Sequence, residues 1–166
     1  MKNTPNLVQN LIYLISFLVK NAIIKFMVNY MPTEILSGLW IGSVNDIYNS
    51  EFYKDNNINI VINCTMDQGF LNLDTLNKIR IPISNNPDMN RDIYQLAQKM
   101  DNILEFIHKS LEEKNIFIYC YNGISISPLI VAVYMVKYGN ISKDIIREVL
   151  KSKNPDICIN YDLGIF

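Results

Sequence analysis

Cys120 stands between a short apolar run and a compact polar loop, a setting in which a cysteine can act as a nucleophile. The run before it, residues 116–119, has the composition of a buried β-strand. After the loop, which contains Gly123, the pair Ser127 and Pro128 is typical of a helix start, where serine caps free amides. A strand, a loop and a helix N-terminus in this order direct backbone amides and the helix dipole at one point. The stretch therefore predicts an anion site whose field favours a cysteine thiolate.

This stretch resembles the phosphate-binding loop of the cysteine-dependent dual-specificity phosphatases, in which His-Cys is followed by five residues and then by Arg-Ser. The resemblance places the nucleophile at Cys120 and the final hydroxyl at Ser127. It implies a phosphate-binding loop made of Cys120, Tyr121, Asn122, Gly123, Ile124, Ser125 and Ile126. Two positions depart from the family pattern, because Tyr119 replaces the histidine and Ile126 replaces the arginine.

The replacement at Ile126 removes the strongest donor that the family chemistry uses. Attack of a cysteine thiolate on phosphorus spreads negative charge over the equatorial oxygens, which the fork of an arginine side chain holds in pairs. An isoleucine side chain has no donor and no charge. Loss of one strong transition-state donor costs on the order of 100- to 1,000-fold in rate.

The general acid is the second gap. In the family it is an aspartate shortly after an Ile-Pro strand end, and the matching position here is Asn85. An amide cannot protonate a leaving group, a contribution typically worth about 100- to 10,000-fold. Asp88 is a possible substitute acid, and so is Asp92, although both also fit ordinary acids at a helix start. Arg91 lies in the same region and is a candidate replacement for the missing arginine, or else a solvated residue of the helix start.

The first part of the chain predicts a helix that packs through one apolar seam. Residues 7–28 are mostly apolar, but Lys20 and Lys25 interrupt a stretch that would need roughly 20 apolar residues to span a membrane. The seam follows the spacing 4-3-4-3-4, the pattern of a packed helix pair, at Val8, Ile12, Ile15, Val19, Ala22 and Phe26. Two alternatives stay open: a helix folded back onto its own domain, and a helix lying on a membrane surface. The resemblance favours the pair, because the small poxvirus-type members of the family exchange an N-terminal helix between two subunits.

The composition bounds the partners and the compartment. The net charge of −1 argues against a nucleic-acid surface. The three cysteines are far apart and His108 is the only histidine, so that we expect neither a metal site nor a cofactor. An odd number of separated cysteines fits a reducing compartment. We therefore expect a cytoplasmic protein without a membrane span, in the host cytoplasm or the virion if the chain is viral.

The predicted elements give an α/β fold of the dual-specificity phosphatase type, with a central, mostly parallel sheet flanked by helices. Strands are predicted at residues 38–43, 58–63, 78–83 and 116–119, and helices at 46–54, 92–113, from the loop to 138, and from 142 to about 151. Residues 1–31 form the N-terminal helical extension in this prediction, and residues 32–166 form the phosphatase-like domain.

Three functional hypotheses follow. The first is a pseudophosphatase, which keeps the fold and the cysteine loop, has lost turnover, and binds a phosphoprotein or another partner protein. The second is a slow phosphatase for tyrosine, serine or threonine phosphate that uses Cys120. The third is a structural homodimer, held by the N-terminal seam, whose loop is a relic.

Overall fold

The computed structural model describes residues 7–28 and 32–166, and within the first range it describes the side chains of residues 11–21. The chain divides into two compact units, Met1–Met31 and Pro32–Phe166. The described helices and strands are α1 (Leu7–Val28), β1 (Thr33–Leu36), β2 (Leu39–Ser43), α2 (Ser50–Asp55), β3 (Ile58–Asn63), β4 (Asn77–Arg80), α3 (Tyr94–Ser110), β5 (Asn115–Cys120), α4 (Ile126–Tyr138) and α5 (Ile146–Lys153).

In the first unit, α1 presents apolar side chains to solvent. The apolar side chains from Leu11 to Val19 are between 51% and 72% exposed. The seam residues Val8, Ala22 and Phe26 lie outside the side chains that the structure describes. Among the described residues, no helix combines the length and the apolar character needed to cross a membrane. Packing of the seam against another helix stays a prediction.

The second unit is built on a five-stranded sheet in the order β1-β2-β5-β3-β4. Strands β2, β5, β3 and β4 are parallel, and β1 pairs with β2 in the antiparallel direction at one edge. Helices lie on both faces of the sheet, and β5 is in the middle. Its side chains from Ile116 to Cys120 are at most 1% exposed, which explains the continuous apolar run in the sequence. The predicted α/β class is confirmed.

Alternation along β5 sends neighbouring side chains to opposite faces of the sheet. Ile116, Ile118 and Cys120 belong to the larger core, which α3, α4 and α5 cover. Phe117 and Tyr119 belong to the smaller core on the other face, with residues of α2. The cysteine therefore faces α4, whereas the tyrosine before it faces away from that helix.

Several predicted boundaries needed correction. The strand at 58–63 is confirmed, but the strand predicted at 78–83 ends at Arg80. Pro82 has no amide hydrogen for a sheet ladder, which accounts for the early end. Strand β1, at the sheet edge, is too short to show a pattern and was missed by the sequence analysis.

The helix boundaries differ for local reasons. The region predicted as a helix at 46–54 is a 3-10 turn, Val44–Asp46, followed by α2. The turn starts at Ser43, whose hydroxyl and amide are both satisfied by the Asp46 side chain in a capping box. The long helix begins with a π-helical turn, Met89–Ile93, and continues as α3. The last helix begins at Ile146, four residues later than predicted from Ser142.

The prediction that Ser127 caps a helix is wrong. Helix α4 begins one residue earlier, at Ile126, and Ser125 precedes it. Ser127 is 0% exposed, and its hydroxyl faces the Cys120 sulfur and the carbonyl oxygen of Gly42. The Ser127 side chain, which local sequence rules assign to capping, instead contacts residues of the strands β5 and β2.

Gly123 lets the cysteine loop lie directly against β2. Its φ is +73°, a conformation that residues with a side chain rarely adopt. A Cβ atom at this position would lie 2.9 Å from the carbonyl carbon of Gly42 and 3.0 Å from the amide nitrogen of Ser43. Both are backbone atoms in the sheet, so the loop would have to move away to make room.

Asp92 anchors the segment that leads into α3. Its side chain is 3% exposed. The carboxylate accepts hydrogen bonds from the Ser84 hydroxyl at 2.5 Å, the Asp88 amide at 2.9 Å and the Arg91 guanidinium at 2.9 Å. The Arg91 hydrogen bond makes the largest contribution to lowering the pKa of Asp92 below its ordinary value of 3.8, and the bonds from Ser84 and Asp88 lower this pKa further.

We predict that Gly123→Ala destabilises the domain by about 1–3 kcal/mol or more, because positive φ and a backbone clash act together. Urea unfolding measures the change in the free energy of unfolding. Gly69→Ala is the matched control, because the nearest atom to an added Cβ there is the Tyr48 hydroxyl oxygen at 3.6 Å. Its effect should stay within about 0.5 kcal/mol. Equal losses in the two variants would contradict the close packing of the loop on β2.

Asp92 should make the stability depend on pH. Because its pKa is lower in the folded than in the unfolded protein, the charged carboxylate stabilises the fold at neutral pH. This contribution is lost as the pH falls below the ordinary value of 3.8 and towards the folded-state pKa. Urea unfolding between about pH 5 and pH 2 should therefore show a steeper loss for the wild type than for Asp92→Asn.

Ser84→Ala, which removes one of the hydrogen bonds to Asp92, should give an intermediate slope. Parallel pH profiles for the wild type and Asp92→Asn would show that this carboxylate does not contribute in the expected way.

Candidate functional site

Cys120 lies at the carboxyl end of β5, at the centre of the sheet, and is 1% exposed. Its sulfur lies 3.2 Å from the Ser127 hydroxyl oxygen at the start of α4. The Ser127 hydroxyl also lies 3.3 Å from the Gly42 carbonyl oxygen, to which it donates. Strand, loop and helix thus bring the predicted nucleophile and the predicted hydroxyl into contact.

The Ser127 hydroxyl has one proton for two neighbours. When Cys120 is a thiol, the hydroxyl donates to the Gly42 carbonyl oxygen and the sulfur can donate to Ser127. When Cys120 is a thiolate, the sulfur has become an acceptor and the hydroxyl can turn to it. Ser127 is therefore placed to donate to negative charge on Cys120.

The Asn122 side chain turns back into the loop. Its oxygen, Oδ1, accepts from the Ile124 amide at 3.0 Å and from the Ser125 hydroxyl at 3.0 Å. The Cys120 sulfur lies 3.5 Å from the same oxygen, as a donor. Asn122 therefore connects the sulfur of Cys120, the amide of Ile124 and the hydroxyl of Ser125.

Contacts outside the loop hold its remaining members. The Tyr121 hydroxyl donates to the Asp67 carboxylate at 2.5 Å. The Ile124 carbonyl oxygen accepts from the Cys158 amide at 2.8 Å, which ties the loop to the end of the chain. The Ser125 carbonyl oxygen accepts from the Leu129 amide at 3.1 Å, in the first turn of α4. The segment predicted as the phosphate-binding loop is thus fixed by contacts with the segment after β3, with the end of the chain and with the first turn of α4.

Ile126 has its side chain in the protein core. It is 3% exposed and belongs to the larger core cluster. At this position, to which the resemblance assigns the arginine, the chain supplies an apolar surface and the backbone of a helix start. Such a site can offer amide hydrogens to an oxyanion, but this residue adds neither a side-chain donor nor positive charge.

The three arginines of the chain are engaged elsewhere. Arg80 donates to the carbonyl oxygens of Thr65 at 2.9 Å and Gln68 at 2.7 Å. Arg91 pairs with Asp92, and Arg147 donates to the carbonyl oxygen of Tyr161 at 2.7 Å. Each guanidinium therefore holds a neighbouring loop or carboxylate.

The candidate acids have different environments. Asn85 is exposed in a bend after β4. Asp88 is exposed and accepts from the amides of Asn90 at 2.9 Å and Arg91 at 2.8 Å, so that it caps the turn before α3. Asp92 is not a solvated helix-start acid, because it is buried and its carboxylate accepts several hydrogen bonds. With its lowered pKa, Asp92 holds its charge instead of donating a proton.

Tyr119 does not take up the role that the resemblance gives to histidine. It is 0% exposed on the face of the sheet opposite Cys120, and its hydroxyl donates to the Gly69 carbonyl oxygen. Burial raises the pKa of this phenol. Tyr119 therefore positions the loop after β3, and it stays uncharged at neutral pH.

Tyr161 packs against the larger core, which contains Cys120, and sequence reasoning did not point to it. Burial raises the pKa of its phenol, and the charges of Cys120 and Asp92 add to that effect. Tyr161 lies in the segment after α5, far from the loop in sequence. Spacing alone gives no signal that could have connected it to Cys120.

A cluster of metal ligands would need several acidic, cysteine or histidine side chains in one place. Within residues 7–28 and 32–166, no group of three such side chains could hold a metal ion.

Comparison with known proteins identifies the fold and the family. The family model "Dual specificity phosphatase, catalytic domain" matches residues 39–163. Mouse dual specificity protein phosphatase 8 is 29% identical over 132 residues, which cover 78% of this chain and 19% of the relative. Human dual specificity protein phosphatase 16 is 26% identical over 138 residues, which cover 81% of this chain and 20% of the relative. The chain thus spans about a fifth of the length of these two relatives.

Solved structures show the same fold at lower identity. Human DUSP28 superimposes with a TM-score of 0.70 at 16% identity, over 80% of this chain and 87% of that protein. The human tyrosine phosphatase-like serine/threonine/tyrosine-interacting protein superimposes with a TM-score of 0.63 at 19% identity, over 81% and 89%. The family model covers strands β2 to β5, the cysteine loop and helices α2 to α5. The chain belongs to the dual specificity phosphatase family.

Proposed function

We propose that this protein is a pseudophosphatase, which keeps the family fold and its cysteine loop but acts by binding a phosphoprotein or another partner protein. The observation that carries the proposal is the burial of Ile126, with 3% of its surface exposed, at the position that the resemblance assigns to arginine. The three arginines of the chain donate to backbone carbonyl oxygens or to Asp92, so that each guanidinium already has a partner.

The expected loss of rate is large. Removal of one strong transition-state donor costs about 100- to 1,000-fold, and removal of the general acid costs about 100- to 10,000-fold. If the two effects multiply, the rate falls by about 10⁴ to 10⁷ relative to an intact member of the family. The estimate assumes that no other acid replaces the missing one. Asp88 and Asp92 are in line with this assumption, because both carboxylates already accept hydrogen bonds from the segment that leads into α3.

A binding role is supported by what the loop retains. Cys120, Gly123 and Ser127 have the spacing of the family loop, and Cys120 contacts Ser127 at 3.2 Å. A helix N-terminus that follows a loop with free amides can bind an anion without turning it over. One structural relative has the name tyrosine phosphatase-like serine/threonine/tyrosine-interacting protein, and an interaction role on this fold is in line with the proposal.

We predict that the wild type shows no turnover of an aryl phosphate that depends on Cys120. Ile126→Arg combined with Asn85→Asp should raise turnover by several decades, because both missing groups are returned. Stopped assays with p-nitrophenyl phosphate measure the rate, and Cys120→Ser in the repaired protein should abolish it.

Ile126→Gln with Asn85→Asp is the matched control, since it adds a polar side chain without charge and should gain much less. Thermal unfolding shows whether each variant is folded. A wild type that turns over as fast as the repaired protein, or a folded repaired protein without any gain, would overturn the proposal.

The contact between Cys120 and Ser127 also favours a second candidate, a slow phosphatase. A thiolate with a neighbouring hydroxyl can still attack phosphorus and be released, even without a charged donor. The same assay separates the two candidates, because weak turnover of the wild type that disappears in Cys120→Ser establishes the slow enzyme.

The exposed apolar side chains of α1 favour a third candidate, a homodimer formed through this helix. We predict that removal of residues 1–30 converts a dimer to a monomer, because the seam is lost. Light scattering coupled to size exclusion measures the mass. Ile12→Asp with Ile15→Asp charges the seam and should have the same effect.

Tyr13→Asp with Phe17→Asp is the control for charge alone, because these exposed residues lie off the seam. It should leave the dimer intact. A monomeric wild type, or equal dissociation by the two pairs of substitutions, would exclude the seam as the interface.

A further inference from the structure

The cysteine loop contains its own acceptor. The Asn122 side-chain oxygen accepts from the Ile124 amide, and the same oxygen accepts from the Ser125 hydroxyl and the Cys120 thiol. The Ile124 amide, the Ser125 hydroxyl and the sulfur itself therefore donate to one neutral oxygen. An oxyanion seated over Cys120 would compete for the amide and the hydroxyl.

We propose that the Asn122 side chain is an internal occupant of the loop, an autoinhibitory contact that an oxyanion has to displace before it binds. This inference rests on the proposed binding function, and it names the residue that sets the affinity of that site. Asn122 is exposed, so its side chain can leave for solvent while the loop backbone stays in place.

The contact also acts on the sulfur. A side-chain carbonyl oxygen is an acceptor only, so the Cys120 sulfur has to keep its proton to donate to it. The Cys120 thiol therefore donates to Asn122 at 3.5 Å, in place of the bond that it can make to Ser127. An anion that enters the loop has to break this contact as well as the one with the Ile124 amide.

The sequence context explains why an internal acceptor suits this chain. With isoleucine at position 126, the loop has no cationic side chain to attract an anion from solvent, and its amides need some other partner. Asn122 provides that partner for one of them, the Ile124 amide.

The experiment compares full-length wild type with Asn122→Ala and Asn122→Asp by calorimetric titration with tungstate and with inorganic phosphate. Asn122→Ala removes the occupant and should bind about three- to tenfold more tightly, the range expected for one net hydrogen bond. Asn122→Asp keeps the shape and the acceptors but adds negative charge, and it should bind at least about tenfold more weakly.

The matched control is Asn160→Ala. Asn160 accepts from the Cys158 sulfur at 3.3 Å, which is the same type of contact outside the loop. This variant should bind both anions as the wild type does.

A second readout follows the sulfur itself. The rate at which iodoacetamide alkylates Cys120, resolved from Cys64 and Cys158 by peptide mass spectrometry, should rise in Asn122→Ala and fall in Asn122→Asp at neutral pH. A merely structural role for Asn122 would lower the thermal stability of both variants without this opposite response.

The outcomes separate the inference from the proposed function. Equal affinities for wild type and Asn122→Ala would overturn the proposal that Asn122 occupies the loop, but would leave the pseudophosphatase proposal standing. Tighter binding by Asn122→Ala, together with vigorous hydrolysis by the wild type, supports the occupant and overturns the pseudophosphatase. If no variant binds either anion, both the proposal that Asn122 occupies the loop and the proposal that the loop recognises phosphate are overturned.

Discussion

The site depends on the position of β5 at the centre of a sheet that is buried on both faces. Because side chains alternate along a strand, the residue before the cysteine has to face the opposite core. Cys120 therefore faces α4 and Ser127, whereas Tyr119 faces the aromatic cluster beyond the sheet. The carboxyl end of this parallel strand is also where the chain can turn into a helix, so that sulfur, loop amides and helix dipole meet there.

The loop is held from the outside by groups that an anion does not use. Gly123 packs on the backbone of β2, and the Ile124 carbonyl oxygen accepts from Cys158. The Tyr121 hydroxyl donates to Asp67, which lies in the segment after β3, and Arg80 donates to carbonyl oxygens of the same segment. These contacts fix the backbone of the loop whether or not it contains an anion. The geometry of the loop can thus persist in a chain with isoleucine at position 126.

Sequence reasoning was right where the pattern is local and wrong where a contact from elsewhere decides. The alternating isoleucines of β3 and the apolar run of β5 predicted two central strands. Ser127 looked like a capping residue, but its hydroxyl faces a sulfur and a carbonyl oxygen on two other strands. The contacts of Asn122 depend on how the loop folds back on itself, and those of Tyr161 depend on where the chain end runs. Neither can be read from spacing.

The same residue that removes the positive charge also contributes to the core. Full burial of an isoleucine side chain stabilises a fold by about 1.5–3 kcal/mol, without any need for a partner. An arginine at position 126 would instead bring a charge whose burial costs free energy unless an anion or a carboxylate pairs with it. A loop with arginine is therefore most stable with an anion bound, whereas in this loop Ile126 is buried without a charge and the Ile124 amide already donates to Asn122. Ile126 and Asn122 therefore act in the same direction, towards a loop that keeps its shape without an anion.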